Sequence, residues 1–392
     1  MRADNVRRPL LHVAAVTAGL TSGAIHAAEW TLTPSVAVST RTERNPRLGA
    51  DDASRTETAN AFDTVASLNL SRNTERLSLD VKPDIAVYRS TNASDLDRDE
   101  EHLNLSMGWR GETISWSSKV AIARDTTLTS ELGDTGFTQA NLRHDSYDVS
   151  FGPTWQLSER VSALASVGSL INRYPGQSTA FLQDYRYDSA LAGLNYSASD
   201  RAVLSMTASV GRLNNKGPGD HSDNASLMLR AQYALSPVWN IALGAGPSLA
   251  RSAGSTERGV VYNASLSRSF ETGRLSLDVD RSQQPSGAAV LTNLEQAALS
   301  FSTVLTERLS GTVSAIYNRR RSALREIDVD LSRVRYARVE AGLSWQMSSR
   351  WQVGASVGDS LQRVGSIFSN DQTGRGYDAR LSVSWNGKSY VH

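Results

Sequence analysis

The chain has 392 residues, 41 Lys and Arg against 40 Asp and Glu, a formal net charge of +1 and no cysteine. The charge balance gives no case for nucleic-acid binding, and the lack of cysteine excludes disulfides and thiolate metal or redox sites. Beyond the N-terminus no apolar run reaches the ~20 residues of a membrane-spanning helix, which excludes a helical inner-membrane protein.

Arg2, Arg7 and Arg8 precede an apolar run from Leu10 to Ile25, followed by His26, Ala27 and Ala28. This is the order of a secretory signal peptide cleaved after Ala27 or Ala28. The run is interrupted by His12, Thr17 and Ser22 and is too short to span a bilayer of roughly 30 Å. The expected organisation is a signal peptide over 1–28 and one domain over 29–392.

From Trp30 onward, apolar and polar residues alternate in eighteen segments: 30–41, 61–71, 77–88, 100–110, 113–124, 144–155, 161–173, 185–196, 202–212, 225–234, 239–249, 260–269, 274–282, 294–304, 309–320, 334–345, 351–361 and 377–386. Most are close to the ~9–11 residues that a tilted strand needs to cross a bilayer. Clear stripes are Leu103-Leu105-Met107-Trp109, Trp239-Ile241-Leu243-Ala245 and Tyr377-Ala379-Leu381-Val383-Trp385, with small polar residues between. Period-two alternation places the two sets on opposite faces. Short turns at 72–76, 110–112, 156–160, 197–201, 235–238, 270–273, 305–308 and 346–350 alternate with longer polar connections, the longest at 42–60 and 125–143. That rhythm is the signature of an all-β fold, a transmembrane antiparallel up-and-down β-barrel of about 18 strands, with 16 as the fallback. Segment 185–196 has an unclear parity, with a bulge expected near Ser189 and Ala190. An even strand count puts both termini on the periplasmic side, with the long loops outside.

All eight tryptophans (Trp30, Trp109, Trp116, Trp155, Trp239, Trp345, Trp351 and Trp385) fall at strand ends beside short turns or a terminus. Tyr88, Tyr147, Tyr174, Tyr185, Tyr187, Tyr262, Tyr317, Tyr336 and Tyr377 flank the long connections instead. Aromatic rings settle at membrane–water interfaces, so two aromatic girdles are expected, one per rim. The alternating pattern ends at Trp385, and 386–392 run on beyond it.

Strand parity yields an inner face of small residues, among them Ser265, Ser314, Ser356 and Ser382, with charged lumen-lining candidates Asp80, Lys82, Asp84, Lys119, Asp148, Arg230, Asp278, Arg338, Glu340 and Arg380, and with Asp63, Glu100, Asp280, Arg320 and Asp378 of the same parity. Both signs occur. About eighteen strands leave room for an aqueous channel, and short side chains keep it wide. Neither a dense charged constriction nor an aromatic track is visible in the sequence.

Other motifs carry little chemistry. His102 and His144 lie near the outer ends of different strands, where a Ser-His hydrolase would also need an orienting third group. The run 95–101 is rich in carboxylates but lacks the glycine-turned loop of a dedicated calcium site. Arg319, Arg320 and Arg321 form a basic run at an outer rim, suited to lipopolysaccharide phosphates as well as to plain rim charge. No catalytic residue, cofactor or metal is expected, and the chain is read as no enzyme.

The first segment after the signal runs from Trp30 through Pro34, Ser35, Val36, Ala37, Val38 and Ser39, then Thr42, Glu43, Arg44, Asn45 and Pro46. A first strand of this kind, leading into an acidic, Asn-containing loop, resembles outer-membrane β-barrels of the porin 2 type, found with exopolysaccharide and capsule secretion systems. Arg44 stands where that type carries an acid. The resemblance implies a barrel in the outer membrane of a Gram-negative bacterium that takes part in export of an exopolysaccharide or capsular polysaccharide. Its implied partners are outer-membrane lipids and lipopolysaccharide, the polysaccharide, periplasmic polysaccharide-export proteins and the outer-membrane assembly machinery. The residues alone imply a wide polar barrel. The alternative is a general diffusion porin for small solutes, and a surface enzyme or adhesin is a third class.

Overall fold

The computed structural model describes residues 30–49, 57–134, 141–175, 182–215, 221–252, 255–323, 334–365 and 372–391. The segment expected as a signal peptide lies outside them. The strands are β1 (Trp30–Arg44), β2 (Thr58–Asn73), β3 (Leu77–Ser90), β4 (Arg98–Arg110), β5 (Ile114–Thr126), β6 (Arg143–Gln156), β7 (Val161–Arg173), β8 (Tyr185–Ser199) and β9 (Ala202–Asn215). They continue as β10 (His221–Ser236), β11 (Trp239–Ser252), β12 (Ser255–Ser269), β13 (Gly273–Pro285), β14 (Leu291–Thr306), β15 (Leu309–Ser322), β16 (Val334–Gln346), β17 (Trp351–Val364) and β18 (Gln372–Asn386). Each pairs antiparallel with its sequence neighbour, and β1 pairs with β18 as well as β2. The sheet therefore closes into an 18-stranded up-and-down barrel. Closure satisfies the backbone ladder all round and leaves no open edge, which is the condition for spanning lipid with strands.

The strands run from 13 residues in β4 to 16 in β2. This exceeds the ~9–11 needed to cross a bilayer, so the cylinder projects past a hydrocarbon slab. Both ends of the barrel chain, Trp30 and Asn386, lie at the rim that carries the short turns, because Trp30 pairs with Arg72 and Asn386 with Ser35. Past Asn386 the ladder does not stop. Gly387 N donates to Pro34 O over 2.7 Å, and a two-residue strand β19 (Tyr390–Val391) pairs with Leu32 and Thr31. The register against β1 moves by one residue between Ser35–Asn386 and Leu32–Tyr390, the mark of a bulge.

The expected bulge near Ser189 and Ala190 is absent: both sit in unbroken ladders to β7 and β9. The irregularity in β8 falls at Ser197–Ser199, beside the short turn, where the strands must tighten to reverse.

One face of the sheet carries the large apolar side chains. Val38, Ile85, Leu229, Leu243, Val357 and Leu381 are exposed there, Leu243 by 56% and Leu381 by 59%. All eight tryptophans have the same parity, placing the indoles on that outer face near the short-turn rim. The tyrosines depart from a simple girdle. Tyr147, Tyr262, Tyr317 and Tyr377 face outward, whereas Tyr88, Tyr185, Tyr187 and Tyr336 share the inner face. The rings of Tyr88, Tyr185 and Tyr187 meet apolar partners inside, and their hydroxyls are held: Tyr88 donates to Glu43 Oε2 (2.8 Å), Tyr187 donates to Asn224 Oδ1 (3.1 Å), and Tyr185 accepts from Asn172 Nδ2.

Those apolar partners come from connections that fold into the barrel mouth. A 3-10 turn (Ser94–Leu96) and helix α1 (Thr127–Asp134) bring Ala93, Leu96 and Leu128 against Ala59, Ala61 and Tyr88 of the inner wall. Burying a leucine in this way contributes about 1.5–3 kcal/mol. Asn141 Nδ2 ties the two connections together by donating to Asp95 O (2.9 Å) and Asp97 O (3.2 Å). On the other side, Ala289, Leu291 and Ala323 pack on Tyr185, Leu213 and Ala250 of β8, β9 and β11. Ala289 takes φ 54° to make that inward turn.

Candidate solute pathway

The ladder gives every strand residue a face. Starting from Ser39 and Asp63, which are opposite each other and joined by a hydrogen bond of 3.0 Å, the register carries the same face through all eighteen strands. Asp80, Lys82, Asp84, Lys119, Asp148, Arg230, Asp278, Arg338, Glu340 and Arg380 all fall on it. Seven of these ten are scattered around the wall. Asp80 faces Ser71 and Ser106, Lys119 faces Ser106 and Ser150, and Arg230 faces Ser205 and Gly244. His102 Nδ1 lies 2.8 Å from Asp84 Oδ2, whose carboxylate is the acceptor of that contact.

Arg338, Glu340 and Arg380 belong to a dense charged cluster, which the sequence did not reveal. Arg338 lies between Asp378 (Nη1–Oδ1 2.7 Å) and Glu340 (Nη2–Oε2 2.9 Å), and also donates to Ser360 Oγ at 3.0 Å. Arg380 Nε donates to Ser39 Oγ (3.0 Å), and its Nη2 stands 3.7 Å from Asp63. Arg41 joins Asp63 (2.7 Å) to Glu43 (2.9 Å). Arg98 stacks 3.9 Å from the Tyr88 ring centroid and donates to Glu100 Oε1 (2.9 Å). Glu100 in turn accepts from Thr129 of α1. Four arginines, Arg41, Arg98, Arg338 and Arg380, thus meet five carboxylates, Glu43, Asp63, Glu100, Glu340 and Asp378.

The expectation of a wide lumen without a charged constriction is corrected here. The cluster draws on β1, β2 and β4 from one end of the chain and β16 and β18 from the other, and closure joins the two groups where Arg380 reaches Ser39 and Asp63 across the β18–β1 seam. Parity places Asp63, Glu100, Arg338, Glu340, Asp378 and Arg380 on the inner face; it gives no inner face to Arg41 in the first segment, and Glu43 and Arg98 fall outside the expected strands.

Two cavities flank α1, and their linings share no residue. One, of about 240 Å³, lies among Arg41, Glu43, Tyr88, Arg98, Arg338 and Asp378, with Leu128 and Thr129 of the helix at its edge. The other, of about 330 Å³, reaches from β6–β8 across to β13–β15, with Ser130 at its edge. The in-folded segments therefore divide the mouth into a side crowded with ion pairs and a side rich in carboxamides.

The remaining motifs resolve simply. His144 Nδ1 lies 2.8 Å from Asp125 Oδ1, buried at the foot of α1. In the acidic run, Asp97 accepts from Ser90 N (2.7 Å), Asp99 pairs with Arg89 (2.7 Å) and Asp95 pairs with Arg47. Among the described residues no group of three His, Asp or Glu side chains is placed to hold a metal ion. The basic run 319–321 splits: Arg320 is buried on the inner side, while Arg319 lies on the outer face and pairs with Glu295 at 3.3 Å.

No protein-family model matches this chain, and no curated protein does. Among solved structures it is similar to OccK2 (OpdF) of Pseudomonas aeruginosa, with a TM-score of 0.51 at 13% identity over 95% of this chain and 100% of the other. OpdQ of the same organism gives 0.48 at 10% identity over 92% and 97%. The siderophore receptor PirA, also from that organism, gives 0.44 at 13% identity over 91% and 80%. The first likeness is one of fold: a large outer-membrane-type barrel.

Proposed function

We propose that this chain is an outer-membrane channel for the passive diffusion of small polar solutes, with both termini periplasmic and the long connections outside. The observation that carries this reading is the narrowing of a wide cylinder by inward-folded segments and a charged cluster at one end. The outward apolar band and the indole ring beside the short turns suit a lipid surroundings with one well-defined interface. The opening-strand resemblance is what supports polysaccharide export. The small-solute alternative is preferred because α1 and the ion-pair cluster occupy the mouth that an export path would leave open. The ten parity candidates then line the path, and the Arg338 cluster is its selective part.

The test is electrical. Purified protein in planar bilayers should give stepwise ion conductance. Cluster charges run four positive to five negative, so a weak preference for cations is expected. Arg338→Gln leaves Asp378 and Glu340 uncompensated and should move the reversal potential in a salt gradient further toward cations. Deletion in the parent bacterium should reduce uptake of small solutes and leave surface polymer intact. Loss of surface polymer with unchanged uptake would instead establish export.

A further inference from the structure

The 330 Å³ cavity on the carboxamide-rich side of α1 has a composition unlike the rest of the inner face. Four carboxamides converge on it, Asn172, Gln284, Gln296 and Asn318, together with the phenol of Tyr185; among the described residues that line it there is no carboxylate and a single guanidinium, Arg320. Carboxamides present a donor pair and an acceptor side by side. Asn172 is only 7% exposed. Its Nδ2 donates to the Tyr185 hydroxyl, while its Oδ1 has no hydrogen-bond partner among the described residues. A buried acceptor left unmade costs about 1–3 kcal/mol, so the site favours a solute that brings a donor. A volume near 330 Å³ sits at the small end of ligand pockets, roughly 300–1,000 Å³.

We propose that this cavity is a binding site for a small, uncharged, polyhydroxylated solute of the monosaccharide class. A hydroxyl both donates and accepts, as a carboxamide does, and a ring of them can engage several amides at once. A neutral solute also enters without the desolvation cost of an ion. The charged cavity across α1 suits a different class, so the two sides of the mouth discriminate by charge.

This inference rests on the channel reading, and the experiment separates the two. Glucose is titrated against the single-channel ion current of the full protein. Wild type should show a saturable fall in current. Asn172→Leu and Gln296→Leu, from opposite walls, should each raise the half-blocking concentration about tenfold. Gluconate should block less well than glucose, and a polyethylene glycol of similar size should give no saturation. Calorimetric titration of glucose into the detergent-solubilised protein gives the second readout. Heat of binding without conductance would sink the channel reading and leave the site standing. Conductance with no saturable glucose block, a stronger block by gluconate, or unchanged midpoints in both variants would overturn the site.

Discussion

At the scale of single residues, face decides consequence. Leu243 is exposed on the outer face in mid-strand, so Leu243→Arg should cost roughly 2–4 kcal/mol in lipid. Ser265 lies on the inner face opposite Asp278, where an arginine gains an opposite-charge partner worth about 0.2–1 kcal/mol. Ser265→Arg should therefore insert normally. Denaturation of the two variants in lipid vesicles measures the order; equal losses would mean that the faces are wrongly assigned. Parity made these two positions legible before any coordinates, since alternation in β11 and β12 is regular. It could not foresee Arg41 bridging Asp63 and Glu43, because neither partner choice nor rotamer is written in period two.

At the scale of elements, the barrel wall and its mouth obey different rules. Wall strands follow from alternation, and all eighteen segments appear as strands, most of them extended by a few residues at the long-connection end. The inward fold of α1 was not legible, since residues 125–143 are polar overall and offer only Leu128 and a few other apolar side chains to hold them. Those few suffice because Tyr88, Ala59 and Ala61 on the wall complete a small core with Leu96. Tyrosines counted as one rim girdle from sequence divide between lipid and lumen for the same reason. Leu128→Asp should place a charge in that core, release α1 and widen the mouth. Single-channel conductance should rise, while heat resistance of the barrel on gels should stay near wild type. Unchanged conductance would show that α1 does not restrict the path.

At the scale of the whole molecule, orientation is the testable property. Tags inserted at 125–143 should be reached by antibody on intact cells, and tags at 305–308 should not, because the latter lie at the rim shared with both ends of the barrel chain. Labelling in the reverse order would invert the assignment. The class of fold, its strand number and the separation of long and short connections to opposite rims were legible because each depends on local repetition. The charged cluster was not, because its two groups of residues, from opposite ends of the chain, come together only when the first strand closes on the last.

That meeting has a kinetic consequence. The hydrogen bond from Arg380 to Ser39 joins residues 341 apart in sequence, whereas the strand pairs outside the seam of β1 with β18 and β19 are local hairpins. Closing a loop of that length costs about 5 kcal/mol of chain entropy, recovered only when the whole seam zips together. Until then β1 and β18 are two unsatisfied edges, open to pairing with any other chain. Formation of the seam should thus be the slow step of assembly. Arg41→Ala together with Arg380→Ala should prolong the life of an unclosed sheet, seen as delayed appearance of the compact, heat-modifiable form in a pulse-chase. A catalyst that shields both edges at once would shorten that wait.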